Sequence, residues 1–222
     1  MSIEAGLLPY LFLCLMFLPA LAVLACACWA VSWHALKSHT NLQHIFYLCC
    51  LALAMMWSLR AGITSGMGMH FLGLTLATLL MGWPLALICG ALALLAISIL
   101  GIEPYEALGV NFMVSVALPV FTSQRVLSLM QKYLPDNPFV YIFVGGFFNG
   151  AIAMLCVASV SSLMLVVLGV YSWDAVYEGY YMYLPLMMFP EAFINGTLVA
   201  TIIGTSPEIL SSFDVDRYFN DD

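Results

Sequence analysis

The stretch "HFLGLTLATLLMGWPLALICGALALLAISIL", His70 to Leu100, contains no Asp, Glu, Lys or Arg. It is longer than the roughly 20 residues one upright helix needs to cross a bilayer core of about 30 Å. Gly82, Trp83 and Pro84 interrupt it, and glycine and proline are the strongest local breakers of regular structure. The expectation is two apolar helices, about 69–82 and 84–101, joined by a tight reversal as a hairpin in the membrane. Spanning segments must be helical, because an open strand in lipid leaves backbone groups unpaired.

The rest of the chain is of the same kind. Its 222 residues are 64% hydrophobic and 8% charged, with a mean hydropathy of +1.04, where a soluble domain carries about 25% charged residues. Five further apolar segments lie at about 8–32, 45–61, 106–130, 138–171 and 180–204. The chain therefore reads as an all-α polytopic membrane bundle of about seven transmembrane helices, one transmembrane domain over 1–222. The segment at 138–171 is too long to cross upright, so it tilts or begins as an interfacial helix. Its Gly146 and Gly150 form a small-xxx-small pair that lets a neighbouring helix approach closely. "MSIEAGLLPY" has no basic leader, so the first segment reads as a retained helix rather than a cleaved signal. Seven cysteines (Cys14, Cys26, Cys28, Cys49, Cys50, Cys89, Cys156) fall nearly all inside apolar runs. That odd, buried set argues against a disulfide framework. A net charge of −7 excludes nucleic acid as a natural partner.

Orientation follows from the five basic residues. Lys37 lies in the first loop, and Arg125 and Lys132 flank the loop after the fifth helix. The loops around Glu103 and Glu106, and around Asp174 and Glu178, carry acids only. Positive loops stay in the cytoplasm, so the N-terminus is expected outside and the C-terminus inside. On this map Tyr177, Tyr180, Tyr181 and Tyr183 form an aromatic anchor at the outer interface, and His70 opens the third helix from outside.

Few side chains in such a chain can carry chemistry. His70 is either a packed histidine with a ring nitrogen on a backbone carbonyl, or a metal ligand, imidazole being the commonest for transition metals. Gly62, Gly66 and Gly68 would let the backbone close around an ion, and Met67 and Met69 offer soft thioethers. Ionisable groups within membrane helices are functional candidates by default. Glu191 stands in the last helix after Pro190, as a hydrogen-bond hub or as part of a substrate path, with Arg60 as an ion-pair candidate. Asn111 and Asn195 are comparable buried amides. Cys26, Cys28, Cys49 and Cys50 lie at matching depths, either as a four-thiol soft exit site or as small apolar residues. His34, His39 and His44, five residues apart, spread around a helix and read as solvated.

There is no GxxxxGK[ST] loop to cradle a nucleotide, and no HExxH or GxSxG, so neither self-powered transport nor enzymatic activity is expected. The order of the remaining motifs resembles the cobalt/nickel permease family, the substrate-specific membrane subunits of energy-coupling factor transporters. The resemblance rests on "GMHFLGLTLATLLMGWPLALI" (68–88), with a glycine-rich turn, a histidine at the helix start and a glycine–proline hairpin. It extends to "ALGVN" (107–111), "FPEAFINGTLVA" (189–200) and the opening "MSIEAGLLP", which keeps Ile3 and Gly6.

The resemblance implies a seven-helix permease of the inner membrane that captures a transition-metal ion (nickel, cobalt or copper). It further implies a separate transmembrane coupling subunit and cytoplasmic ATPases as partners. In that family the N-terminus tucks into an external pocket. There the terminal amine, the amide and imidazole of the second residue, and the helix-start histidine bind the ion through four nitrogens. His70 carries over by position, but Ser2 stands where the family has histidine. The donor set left for a metal is Ser2, His70 and the softer Met67 and Met69. The alternative is a stand-alone membrane protein serving metal delivery or respiratory complex assembly, with an inert His70 as a further possibility.

Overall fold

The computed structural model describes residues 2–3, 5–59, 61–64 and 67–219. The chain begins with a short strand β1 (Ser2–Ile3) and continues into α1 (Tyr10–Ala30), a brief α2 (Trp33–Ser38) and α3 (Thr40–Ser58). Two more strands follow, β2 (Ala61–Thr64) and β3 (Met67–Met69), then α4 (Leu74–Ile99). The long helices α5 (Tyr105–Tyr133) and α6 (Pro138–Val167) come next. The chain closes with α7 (Trp173–Gly179), α8 (Leu184–Thr205) and a terminal α9 (Val215–Phe219).

Six of these stretches, with α7 and α8 taken together, are long and apolar enough to cross a membrane. The patterning is that of a protein in lipid. In α1 only Leu13, Ala20 and Ala27 are buried, while Leu11, Leu15, Leu18 and Leu21 are exposed. Apolar residues all round a helix are stable where hydrocarbon, not water, covers the outward side.

The hairpin expected at Gly82 is inside α4. Gly82 has φ 78° and ψ 164°, a conformation essentially reserved for glycine. A β-carbon placed on Gly73 would touch Leu53 of α3, and Cys89 touches Cys50 of the same helix. Residues 73 and 89 would be about 24 Å apart along a straight helix, yet they meet α3 within one turn. Leu74 likewise lies against Gly90. The chain therefore enters as a half-helix, Leu74 to Met81, turns at Gly82 and returns as the second half. Counted this way it traverses the bundle seven times.

Two ends result. At one, which we call the sheet end, β1 pairs antiparallel with β3 (Ser2 opposite Gly68) and β2 pairs with β3 on its other side, the order being β1-β3-β2. Strands are a departure from the expectation of helices alone, which places Ala61 at the end of the segment 45–61 and Met69 at the start of 69–82; each strand pairs its backbone groups with a neighbour. At the other, the tail end, α9 and the segment before it pack on Gln131, Asp136 and Tyr141.

Local irregularities have local causes. In a regular helix the ring of Pro119 clashes with the carbonyl of Ser115; α5 widens into a π-turn over Met113–Ala117, which relieves it. In α6 a β-carbon on Gly146 would lie 3.3 Å from Gly196 of α8, and one on Gly150 3.1 Å from the Asn195 amide. The small-xxx-small pair is thus a helix-crossing seat, as its spacing suggests.

Several expectations are corrected. The helix after His70 starts at Leu74, so His70 lies in an extended approach rather than in a first turn. The last spanning helix starts at Leu184, which places Glu191 about two turns in. Glu103 lies in the loop as expected but is buried, because it turns in towards Asn111. Tyr180 is also buried, packing with Leu8, Leu13 and Leu72, so the aromatic anchor reduces to its exposed neighbours Tyr177 and Tyr183.

Candidate functional site

The four residues from His70 to Gly73 link β3 to the half-helix. Such non-helical backbone is tolerated at membrane depth only where protein covers it and satisfies its polar groups. His70 and Leu72 are buried, at 4% and 0% exposure, and helices α3 and α8 supply side-chain partners to the linker's main chain. Trp57, at the end of α3, donates its indole N–H to the Leu72 carbonyl at 3.2 Å.

From the other side comes Glu191. Its Oε2 accepts the Leu72 amide at 2.9 Å and its Oε1 the Gly73 amide at 2.9 Å. Asn195 lies one turn further along α8, on the same face by its i+4 spacing. It donates to Glu191 Oε1 at 3.0 Å and to the Glu191 carbonyl at 2.7 Å. Its own Oδ1 accepts the Leu76 amide at 3.0 Å. The first amides of a helix have no partner within it, and a carboxylate there also meets the positive end of the helix dipole. Glu191 and Asn195 together therefore cap the half-helix and fix the linker before it. Glu191 is the hydrogen-bond hub of the sequence reading.

The half-helix is capped at its tail end too. The break at Gly82 strips the carbonyls of Leu79 and Leu80 of helical partners. Ser212 supplies both its amide (3.3 Å) and its hydroxyl (2.8 Å) to Leu79, and the Ser211 amide reaches Leu80 at 3.3 Å. In its first turn, Thr75 shares a hydroxyl–hydroxyl bond of 2.8 Å with Ser123.

His70 is held in the same frame. Its Nδ1 lies 2.9 Å from the Phe71 carbonyl. A carbonyl only accepts, so Nδ1 carries the proton of this bond, and in a neutral ring the lone pair then sits on Nε2. The ring stands 5.5 Å from that of Trp57, tilted by 48°. The packed reading of His70 is the one observed, with a ring nitrogen on a backbone carbonyl; a bond of that kind is also how the outer partners of metal-ligating histidines fix the tautomer. The main chain of Ser2 lies opposite Gly68, two residues before His70, so the N-terminal strand runs beside it. Arg60 and the side chains of Ser2, Met67 and Met69 lie outside the described residues.

A cavity of about 130 Å³ lies beneath the linker, between α3, the half-helix and α8, lined by Phe71, Gly73, Met56, Cys49, Glu191 and Asn195. Asn111 is fully buried and donates to Glu103. Among the described residues no three His, Cys, Asp or Glu side chains converge on a metal site. The four-thiol site does not form: Cys26 is exposed towards the surround, and Cys50 instead meets Cys89 of the returning half of α4. Helix α3 has one face to offer, and the hairpin rather than α1 packs on it at that depth. His34, His39 and His44 are exposed, as their spacing suggested.

Trp57, Ser211 and Ser212 escaped the sequence reading, since nothing in a tryptophan or a serine pair marks it as a cap. Glu191 and Asn195 carried a signal in their i, i+4 spacing. A bundle of membrane-length helices that buries a tautomer-fixed histidine beside its own N-terminal strand has the build of a membrane permease subunit. The particular family is defined by sequence: residues 2–209 match the model of CbiM, the cobalt uptake substrate-specific transmembrane region, and the chain belongs to that family. It is a substrate-specific component of cobalt or transition-metal uptake. Two solved structures share the fold. One, described as a transition metal transporter, superposes with a TM-score of 0.77 at 18% identity, covering 92% of this chain and 93% of that one. The other, a truncated transition metal transporter, gives 0.72 at 20% identity, covering 92% and 99%. No curated protein matches the sequence significantly.

Proposed function

We propose that the chain captures a transition-metal ion at the sheet end, with His70 as the anchoring ligand and the N-terminal strand completing the site. The observation that carries this is the Nδ1–carbonyl bond of His70, in a linker fixed by Glu191. That arrangement spends buried polar groups on aiming one imidazole. Ser2, Met67 and Met69 are the other proposed donors. With serine at position 2, one imidazole and soft thioethers replace the nitrogen-rich set that nickel and cobalt favour, so copper(I) is the expected ion. The sheet end faces outward from the cell inner membrane. A transmembrane coupling subunit and cytoplasmic ATPases supply the energy, since the chain has no nucleotide-cradling loop.

Competitive metal titration of the purified chain in detergent tests the reading. Copper(I) is expected to bind more tightly than nickel(II) or cobalt(II), and the tight phase to be lost in His70→Ala and weakened in the Met67/Met69 double alanine. Tight nickel(II) binding abolished by His70→Ala would keep the site and overturn the softness argument. Affinities for all three ions that are indifferent to His70→Ala would overturn the site itself.

A further inference from the structure

A second place in the molecule gathers soft ligands, and it does not involve His70. The Cys50 and Cys89 sulfurs lie 3.3 Å apart, with Cys50 the donor and Cys89 the acceptor. They come from different elements, α3 and the returning half of α4, so their meeting is a tertiary contact rather than an accident of spacing. Cys89 is fully buried. Cys49, one residue before Cys50, opens on to the cavity beneath the His70 linker. Roughly 100° of helical rotation then turns Cys50 away from that cavity towards Cys89.

Two thiols in a hydrocarbon surround restrict what can bind. The ligand form is the thiolate, and an uncompensated charge in such a medium is strongly disfavoured. A monovalent cation that displaces one thiol proton leaves the cluster neutral: one thiolate, one thiol, one positive ion. A divalent ion needs both protons removed and, in addition, a coordination shell of about four donors. No third or fourth His, Cys, Asp or Glu converges there among the described residues. Thiolate sulfur is a donor that suits copper(I), zinc and iron–sulfur clusters, and of these only copper(I) is monovalent and satisfied by two ligands.

We propose that Cys50 and Cys89 form a two-coordinate site for a monovalent soft metal ion, copper(I), about 100° round α3 from the Cys49 side chain that lines the cavity below His70. The site stands on the two thiols alone and is independent of the reading of His70.

The test uses the full chain in detergent under anaerobic reducing conditions, with copper(I) supplied as its complex with a chromogenic chelator. Wild type, Cys50→Ser, Cys89→Ser, Cys156→Ser and His70→Ala are compared. Monodispersity on size exclusion and an unchanged thermal midpoint show that each variant is folded. Cys50→Ser and Cys89→Ser are each expected to lose one equivalent of bound copper(I), together with the ultraviolet copper–thiolate charge-transfer band. Cys156→Ser is expected to keep both, and His70→Ala to keep the charge-transfer band and this equivalent while losing only the separate equivalent held at His70. Unchanged stoichiometry and an unchanged band in the two cysteine variants would overturn the proposal. So would an equal loss in Cys156→Ser, which would mark indiscriminate thiol capture. Copper(I) lost only in His70→Ala would overturn it while leaving the His70 reading intact, and copper(I) lost only in Cys50→Ser and Cys89→Ser would do the reverse.

Discussion

Glu191 decides more of this structure than any other single side chain. A carboxylate presents two acceptor oxygens and no donor, and both oxygens are used, by Leu72 and by Gly73. Glutamine has the same shape but one acceptor. In its best orientation it keeps the Gly73 and Asn195 bonds and turns an NH₂ group towards the Leu72 N–H, donor against donor. A buried amide left unsatisfied costs about 1–3 kcal/mol, so Glu191→Gln should lower the thermal midpoint in detergent and weaken metal binding together. His70→Ala, which removes the proposed ligand but no cap, should abolish binding at the sheet end with a much smaller shift in midpoint. Equal stability of wild type and Glu191→Gln would mean that the linker is held by Trp57 alone. The sequence made Glu191 and Asn195 visible because polar residues within an apolar helix stand out. It hid what they bind, since a backbone amide has no residue code; a side-chain partner such as Arg60 is the natural guess from letters alone.

The half-helix from Leu74 to Met81 is the element on which the site rests. Eight residues rise about 12 Å, too little to cross a membrane without the non-helical linker before them, and both ends need external caps: Glu191 and Asn195 at one, Ser211 and Ser212 at the other. All four belong to α8 or the segment just after it, so one stretch of chain holds the half-helix at both ends. The glycine–tryptophan–proline interruption made the break legible, because few other sequences stop an apolar helix so abruptly. The strands beside it were not legible: two to four residues are too short to show a period of two. Two glycines of α4 allow the cause of the fold-back to be separated from its packing. A β-carbon on Gly82 would meet nothing closer than 3.7 Å, yet φ there is +78°, so Gly82→Ala costs about 1–3 kcal/mol through the backbone alone. A β-carbon on Gly90 would lie 2.5 Å from Val116 Cγ1, so Gly90→Ala destabilises by crowding. Adding Val116→Ala should restore much of the stability lost in Gly90→Ala and none of that lost in Gly82→Ala. Rescue of both, read from thermal unfolding of the single and double variants, would show that Gly82 is constrained by contacts instead.

For the molecule as a whole, the hairpin sets the parity of the map. Lys37, Arg125, Lys132 and Arg217, four of the five basic residues, belong to segments that lead to the tail end, and Arg217 pairs there with Asp136 at 2.8 Å. By the positive-inside rule the tail end is expected in the cytoplasm and the sheet end outside. Topology reporters fused after Ser38, Pro104, Pro135, Ser172 and at the C-terminus are expected to read inside, outside, inside, outside, inside. The fusion after Pro104 is the informative one. If α4 crosses once as a straight helix, the chain arrives at Pro104 on the same side as Ser38, and every later reporter inverts. If it turns back at Gly82, Pro104 lies on the opposite side, beside the N-terminal strand. The structure favours the second, since Tyr105 to Gly109 pack against the first turns of α1, Gly109 lying on the backbone of Met16 and Phe17. A Pro104 fusion reading inside would remove the half-helix as a distinct crossing, and with it the two-ended cap on which the position of His70 depends.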